Sequence, residues 1–410
     1  MNMDRRKAIS ALVKSSVGVS TVLGSVGSLG ISCQTQNPEK QTPPDGQPML
    51  MKVGTQHGGT GKANLEFLAR HGVFNMDGGS PRIIEGVGWD MDDALAKKEA
   101  CEKYGISLEQ LEKVLKRMYK KGSINAKRIQ EDEGEAIHYH NAFLAVGMFE
   151  YQLHRMTPEF YKNFEQYMDE AFRDEVASTK INQLRTIPVE ESIIPEHNIA
   201  SHDELKNLID QAQRIAIQEC VCRQGKDLIG KPCKFSDLRE VCFVLDDSVQ
   251  HIIENEKGRE ITKREAYEIF EKVKQAGFVI QPGNALKPNF ICCCCGDCCD
   301  LLTNIKKLDR PLDMIHSNYF AIIEDDKCVG CGTCIDRCQM EAISLNELNI
   351  AEIDRELCIG CGNCVNICPE QAMKLKKKET EEMPPVDTTQ LYLKIMDKKA
   401  ELRRKEKGIE

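Results

Sequence analysis

The sequence predicts an α+β protein with several domains. Segments with helical periodicity alternate with short apolar runs that are typical of strands. The 410 residues are enough for two or three domains. Eighteen of the twenty cysteines lie between Cys220 and Cys368, mostly in C-x2-C spacing or contiguous runs. Cysteines at such density favour metal binding over packing or disulfides, so the chemistry is expected in this half.

The N-terminal residues 1–33 predict an export signal. Arg5 and Arg6 lie near the start, and a weakly apolar stretch leads to Cys33. This pattern resembles a twin-arginine signal, which implies export of an already folded protein. A cytoplasmic location, with these residues as a buried helix or an unstructured terminus, is the alternative, and lipid modification of Cys33 is a further one. Residues 34–50 are polar and proline-rich, which predicts a linker, and no later stretch is long and apolar enough to span a membrane.

Residues 51–105 predict a single β-α-β unit, with a helix at 63–71 between strands at 51–56 and 73–76. The words KVGTQHGGT and EFLARHGVFNMDGGSP resemble the beginning of mannonate dehydratase, a TIM-barrel sugar-acid enzyme. A TIM barrel needs eight such units over about 250 residues, and the cysteine-rich remainder does not supply them. The resemblance therefore does not imply dehydratase activity.

A glycine-rich run from Gly58 to Lys62 invites comparison with a phosphate-binding loop. Gln56 stands where the first glycine of that loop belongs, and Ala63 replaces the hydroxyl that binds magnesium. No nucleotide site is therefore expected.

Residues 106–145, with a first helix from about residue 92, predict a winged helix. Ser107 caps a helix at 108–120, and two strands follow at 124–129 and 136–139. The basic residues of this helix, which would suit DNA phosphates, are Lys113, Lys116, Arg117, Lys120 and Lys121. A solvated helix face is the preferred interpretation, because the net charge of −9 does not favour nucleic acid, and DNA binding stays an alternative.

Residues 146–319 predict a helical, cysteine-rich domain within a mixed α+β body. The predicted helices are 142–155, 158–172, 202–217 and 263–276, and Gly277 ends the last of them before an extended Phe278-Val279-Ile280.

Ten cysteines of this domain form a candidate additional metal site. They are Cys220, Cys222, Cys233, Cys242, Cys292, Cys293, Cys294, Cys295, Cys298 and Cys299. Six of them fall within eight positions, which is hard to bury without a metal or a bond. A third iron-sulfur cluster is the preferred interpretation, while zinc, disulfides and free redox thiols stay open because no spacing rule selects the ligands.

Residues 320–378 contain the strongest signal, a C-x2-C-x2-C-x3-C motif that repeats thirty residues later. The first quartet is Cys328, Cys331, Cys334 and Cys338, and the second is Cys358, Cys361, Cys364 and Cys368. In such pairs the fourth cysteine of each motif binds the other cluster. The expected ligand sets are therefore Cys328, Cys331, Cys334 and Cys368 for one [4Fe-4S] cluster, and Cys358, Cys361, Cys364 and Cys338 for the other. Zinc is disfavoured because its sites usually pair two C-x2-C knuckles.

Residues 322–375 resemble the bacterial dicluster ferredoxins, which implies a compact β-α-β repeat and low-potential electron transfer. One departure is Gln339, where the first motif usually has proline, whereas Pro369 keeps it in the second. Over residues 106–378 the words QLRTIP, CVCR, QPGNA and ICCCCGDCC resemble bacterial proteins described as 4Fe-4S binding. That resemblance implies cluster binding without an established substrate.

The preferred function is an electron carrier or redox subunit that needs a redox partner protein, since no flavin, dinucleotide or catalytic-triad motif is present. One alternative is a cluster-dependent DNA-binding regulator. Another is an iron-sulfur oxidoreductase with a third cluster in the middle domain. The charged tail, residues 379–410, predicts a helix at 388–407 that is solvated or faces a partner.

Overall fold

The computed structural model describes residues 101–102, 105, 107–122, 124–131, 134–141, 147–189, 201–308, 310–406 and 408. The predicted export signal, the linker and most of the dehydratase-like segment lie outside the described residues. These three interpretations therefore stay predictions from the sequence.

The described residues contain helices and strands in similar number, which confirms the α+β class. The helices are α1 Leu108–Lys121, α2 Pro158–Tyr167, α3 Arg173–Thr179, α4 Leu205–Gln211, α5 Val221–Leu228, α6 Val249–Glu254, α7 Lys263–Ala276, α8 Asp300–Ile305, α9 Thr333–Arg337, α10 Asn363–Ile367 and α11 Thr388–Glu406. The strands are β1 Ile124–Glu131, β2 Gly134–Asn141, β3 Ile215–Glu219, β4 Glu240–Leu245, β5 Arg259–Glu260, β6 Val279–Pro282, β7 Phe290–Cys294, β8 Tyr319–Ile323, β9 Ile343–Leu345, β10 Ala351–Ile353 and β11 Met373–Lys377. Within the described ranges, no helix has the length and apolar character needed to cross a membrane.

Helix α1 begins where the sequence predicts. The Ser107 hydroxyl accepts the Gln110 backbone N–H, and the Gln110 side chain accepts the Ser107 N–H, which forms a capping box. Gly122 ends the helix in the left-handed conformation. Strands β1 and β2 then pair in antiparallel fashion over their full length. The order of helix and hairpin is the predicted one, but the preceding helix lies almost entirely outside the described residues, so the winged helix and DNA binding stay predictions.

A five-stranded antiparallel sheet, in the order β5-β3-β4-β7-β6, forms the centre of the middle region. Its buried face packs on α4 and α7, where the Phe243 and Phe270 rings stack with centroids 4.1 Å apart. The prediction of a mainly helical domain for 146–319 misses this sheet, although the mixed α+β body expected from the sequence is consistent with it.

One predicted helix, 202–217, is wrong in its second half. Helix α4 ends at Gln211, and the next residues turn into β3. The Gln213 N–H donates to Asp246 Oδ1 at 2.7 Å, which fixes this turn. Ile215 and Ile217 are β-branched, buried and paired with β4. The partner strand comes from a distant part of the chain, so the helical periodicity of the sequence cannot reveal it.

Other helix predictions for the middle region are closer to the structure. Helix α7 has the predicted bounds, with the Thr262 hydroxyl accepting the Glu265 N–H at its start and Gly277 at its end. The predicted helix 158–172 is α2 followed by a π-helical turn, Met168–Phe172. Of the predicted helix 142–155, residues 150–155 form a 3-10 helix.

The C-terminal module has two similar halves. Strand β8 pairs with β11, and β9 pairs with β10, in both cases antiparallel. Each half contains one short helix, α9 or α10, that begins directly after a glycine of positive φ. Tyr319 and Leu375 fill a core between the halves and are fully buried.

The tail helix α11 agrees with the predicted helix, but its first half is not solvated. Leu391, Tyr392 and Ile395 are buried and pack with Ile181. Upstream of α11, the Leu286 N–H donates to the Pro385 carbonyl at 2.7 Å. The segment that leaves the C-terminal module is therefore attached to the middle region again, by a hydrogen bond and by an apolar contact.

Candidate metal centres

The eight cysteines of the two quartets line two separate cavities. The first cluster cavity is lined by Cys328, Cys331, Cys334 and Cys368, and the second cluster cavity by Cys338, Cys358, Cys361 and Cys364. Each of the helices α9 and α10 ends immediately before the fourth cysteine of its quartet. That cysteine thus reaches the cavity of the opposite half, and the two sets coincide with the crossed sets expected from the spacing.

Backbone N–H groups donate hydrogen bonds to sulfurs in both cavities. The pairs are Ala351 to Cys328 at 3.4 Å, Ala372 to Cys368 at 3.3 Å, Ala321 to Cys358 at 3.4 Å and Ala342 to Cys338 at 3.3 Å. Such donors stabilise thiolate charge and tune the reduction potential of a bound cluster. Both cavities are therefore suited to anionic sulfur ligands.

One glycine at each cavity, Gly330 at the first and Gly360 at the second, permits the chain to wrap that cavity closely. Gly330 and Gly360 have φ of +67° and +66°. A Cβ at Gly330 would lie 2.3 Å from the Asn349 carbonyl oxygen, and one at Gly360 would lie 2.2 Å from the Tyr319 oxygen. Backbone cannot move aside as a flexible side chain can, so these positions require glycine.

Gly360→Ala is expected to destabilise the chain by about 1–3 kcal/mol from backbone strain alone, with a further loss from the clash with Tyr319. Gly332→Ala is the matched control, because Gly332 has φ +76° and no atom within 4 Å of its added Cβ. Denaturant unfolding of the full chain measures both variants. Equal losses in the two variants would contradict a role for the close approach at Gly360.

The two cavities differ in their surroundings. The first cluster cavity lies at the surface, where Cys331 is exposed and Val329 is 65% exposed. The second cluster cavity faces the middle region, where Ile359 is buried and burial raises the pKa of Cys361 to about 12. Among the described residues the first cavity is therefore the more exposed of the two, whereas the second is adjacent to the body of the chain.

Gln339 and Asn363 join the second cluster cavity to the middle region. The Gln339 Nε2 donates to the Gly277 carbonyl at 3.0 Å, and its Oε1 accepts the Gly296 N–H at 2.6 Å. Asn363 Nδ2 donates to the same Gly277 carbonyl at 2.9 Å. Proline has neither a side-chain donor nor an acceptor, so the Gln339 departure from the usual motif supplies contacts that hold the two regions together.

The ten middle cysteines do not form one site. Along β7 and the residue that directly follows it, Cys292 and Cys294 pack in one core cluster while Cys293 and Cys295 pack in another, as the two-residue period of a strand predicts. The side chains of six of the ten interact with one another in the order Cys220, Cys222, Cys299, Cys294, Cys292 and Cys242. These six line one cavity, called here the six-thiol cavity, whose wall also includes Cys293 and Cys295. A separate group contains Cys233, Cys295 and Cys298, while burial of Cys293 in the core raises its pKa.

Two carboxyl groups also line the six-thiol cavity. Burial raises the pKa of Glu150 to about 8 and that of Asp300 to about 7. The Tyr161 hydroxyl donates to Asp300 Oδ1 at 2.9 Å, and the Gly147 N–H donates to Glu150 Oε2 at 2.6 Å. The rest of the wall is largely aromatic and aliphatic. The cavity thus combines many sulfur ligands with two groups that can hold a proton near neutral pH.

Sequence reasoning did not identify Glu150, Asp300, Asp297 or the buried Arg223 as site residues. Glu150 belongs to a segment without a distinctive motif, and only its position beside the cavity marks it. Asp297 and Asp300 are close in sequence to the cysteine run, so their proximity to six cysteines was a usable signal. Arg223 directly follows Cys222, and a basic residue beside a thiolate ligand is a similar signal.

Glu150→Gln is expected to stabilise the protein increasingly as the pH rises from the ordinary glutamate pKa to about 8, and so to remove one source of its pH dependence. The folded state keeps the Glu150 proton up to about pH 8, well above the ordinary glutamate pKa. The stability that the neutral Glu150 side chain contributes is therefore fully present at low pH, and it is lost as the pH rises through the pKa of Glu150 in the folded state. Glutamine stays neutral and still accepts from Gly147, so the expected gain is about 2–4 kcal/mol at pH 9. Denaturant unfolding from pH 5 to pH 9 measures it, with exposed Glu347→Gln as the control. An unchanged pH profile would contradict this expectation.

Comparison with known proteins identifies the C-terminal module. Residues 321–375 match the family model described as a 4Fe-4S dicluster domain. A probable ferredoxin of Methanosarcina thermophila is 50% identical over 34 residues, which are 8% of this chain and 59% of that ferredoxin. The chain thus spans less than two thirds of this relative's length, and no solved structure matches the chain significantly. The module is a ferredoxin-type 4Fe-4S domain, so the chain is an iron-sulfur protein.

Proposed function

We propose that the chain transfers electrons through two [4Fe-4S] clusters, one in each cluster cavity. The ligands are the crossed sets, Cys328, Cys331, Cys334 and Cys368 for the first cluster, and Cys338, Cys358, Cys361 and Cys364 for the second. The observation that carries this proposal is that each cavity is lined by four cysteines from both quartets. Backbone N–H donors to the sulfurs support it further, because they stabilise the negative charge of a bound cluster.

The surroundings of the two cavities support a direction of electron transfer, from an external partner to the first cluster and then to the second. A redox partner protein would meet the first cluster, where apolar Val329 and Leu348 are 65% and 78% exposed. Exposed apolar side chains of this kind suit a transient protein contact. The electron would then pass to the second cluster and on toward the middle region, to which Gln339 connects it.

Iron and acid-labile sulfide analysis of anaerobically purified full-length chain tests the proposal. Two clusters correspond to about eight iron and about eight sulfide per chain, with EPR signals of the reduced state from two neighbouring cubes. Iron near zero after anaerobic reconstitution would overturn the proposal, and about four would leave only one of the cavities occupied.

A second candidate function is an oxidoreductase in which the six-thiol cavity holds a third redox centre. The specific observation is six thiols and two buried carboxyl groups in one apolar cavity next to the second cluster. Such a site would receive electrons from the clusters and could supply protons from Glu150. About twelve iron per chain supports it, provided that Cys292→Ala with Cys294→Ala removes about four of them. Retention of all iron in that double variant, with Cys101→Ala as the control, would contradict it.

We also propose export by a twin-arginine route, and this rests on Arg5 and Arg6 of the sequence. Lysine at both positions is expected to keep the chain in the cytoplasm in a fractionation experiment. An unchanged distribution would support the cytoplasmic alternative.

A further inference from the structure

Four side chains converge just after the end of β7, beside the six-thiol cavity. They are Cys233, Cys295, Asp297 and Cys298, and one ligand atom of each lies within 4.8 Å of the others. The Cys233 sulfur is 3.7 Å from the Cys295 sulfur and 3.7 Å from Asp297 Oδ1. None of these four side chains belongs to either cluster cavity, and only Cys295 among them also lines the six-thiol cavity. The arrangement is therefore a candidate metal site distinct from the two cluster cavities.

Local structure explains why the four groups meet. Cys295 directly follows β7, and Gly296 starts a tight turn that presents Asp297 and Cys298. A Cβ at Gly296 would lie 2.0 Å from the Gln339 carbonyl oxygen, so only glycine fits at this point. The turn is also fixed by the Gly296 N–H, which donates to Gln339 Oε1 at 2.6 Å.

The fourth ligand, Cys233, comes from the loop between α5 and β4. The N–H of the next residue, Lys234, donates to Asp297 Oδ2 at 2.7 Å. This hydrogen bond leaves Asp297 Oδ1 facing the sulfurs, as a monodentate carboxylate ligand would. The backbone N–H groups of Phe235 and Ser236 are close enough to help lower the pKa of Cys233, which favours its thiolate form.

The distances favour one metal ion. A tetrahedral zinc ion with Zn–S bonds of about 2.3 Å places two sulfur ligands about 3.8 Å apart, close to the Cys233–Cys295 separation. A [4Fe-4S] cube binds each cysteine through a different iron atom, which spreads its ligand sulfurs further. A disulfide needs about 2.05 Å between sulfurs, which these two atoms do not approach.

We propose that Cys233, Cys295, Asp297 and Cys298 bind a single zinc ion in a structural site. Three cysteines and a carboxylate complete the tetrahedral coordination of zinc and leave no position for a substrate. Cys295 and Cys298 are buried, which agrees with a closed site. The ion would fasten the loop after α5 to the turn after β7, beside the contact with Gln339.

A buried cation balances the charge of this site. Zinc with three thiolates and one carboxylate carries a net charge of about −2. The Arg223 guanidinium is fully buried, interacts electrostatically with the Cys233 and Cys295 sulfurs, and donates Nη2 to the Cys293 carbonyl at 2.9 Å. Its Nε and Nη1 make no hydrogen bond among the described residues. A buried arginine of this kind is costly unless anionic groups lie near it, which metal-bound thiolates provide.

Metal analysis and zinc X-ray absorption of the purified full-length chain test the proposal. We expect about one zinc per chain, with three sulfurs at about 2.3 Å and one oxygen at about 2.0 Å. Cys298→Ala is expected to lower the zinc content at least tenfold, while Cys293→Ala on the adjacent strand keeps it. The iron content and the EPR signals of the two ferredoxin clusters are expected to stay unchanged in both variants, so this test is independent of the proposed electron transfer.

Asp297→Cys provides a second test that does not depend on losing the metal. Zinc is expected to remain while the first coordination shell changes to four sulfurs. A shell that stays at three sulfurs and one oxygen in this variant would overturn the assignment of Asp297. Zinc that persists in Cys298→Ala, or a loss of about four iron from that variant in place of zinc, would overturn the site as a whole.

Discussion

Cys331→Ala and Cys368→Ala are both expected to abolish the first cluster and to leave the second, which removes about half of the iron of the ferredoxin module. The two residues lie far apart in sequence and in different quartets, but both line the first cluster cavity. EPR of the reduced protein should therefore show the same single cluster in both variants. The signal should lack the magnetic coupling that a second reduced cluster nearby would cause. Alanine is preferred to serine because a serine oxygen can still bind iron.

Cys338→Ala provides the opposing test, since this residue belongs to the quartet of Cys331 but lines the second cluster cavity. The EPR spectrum of Cys338→Ala should show that the first cluster is the one that remains. Cys101→Ala is the control and is expected to keep all iron. If Cys331→Ala and Cys338→Ala gave the same spectrum while Cys368→Ala differed, each quartet would bind its own cluster and the crossed assignment would be wrong.

Arg185→Met is expected to lower the free energy of unfolding by about 3–5 kcal/mol, because it leaves a buried carboxylate without its cation. Arg185 is fully buried, and its Nε donates to Asp203 Oδ1 at 3.2 Å. Its Nη1 donates to the Gly283 and Ala285 carbonyls at 2.5 and 2.7 Å. Asp203 also accepts from Asn318, immediately before β8, so this network connects the middle region to the C-terminal module.

Denaturant unfolding of the cluster-loaded chain measures this effect. Lys206→Met is the control, since the Lys206–Asp210 ion pair is exposed and is expected to contribute little. Arg185→Met combined with Asp203→Leu should recover part of the lost stability, because the unpaired carboxylate is gone. Equal effects of Arg185→Met and Lys206→Met would show that the buried network does not stabilise the fold.

The parts of the structure that could be predicted from sequence depend on local spacing. The caps of α1 and α7 are set by residues three positions apart, and the cysteine quartets are set by turns within one motif. The crossing of the ligand sets also follows from the repeat. The sheet could not be predicted in this way, since Cys242 and Cys292 are register partners across fifty residues of chain.

The division of the ten middle cysteines has the same origin. Cys294 and Cys295 are neighbours in sequence but pack in different core clusters, and only Cys295 lies close to Cys233 and Cys298. Cys233 joins Cys295 only because the loop after α5 passes close to it. The spacing of these cysteines reflects the pleat of a strand and long-range packing, which no short motif encodes.

The C-terminal module is attached to the middle region on both sides, through Asn318 before it and Pro385 after it. Gln339 and Asn363 add further attachments at its side. A module held at several points cannot swing between a donor and an acceptor in the manner of a tethered shuttle. The distance that an electron must tunnel within this chain is thus set by the fold, and only the encounter with an external partner would depend on diffusion.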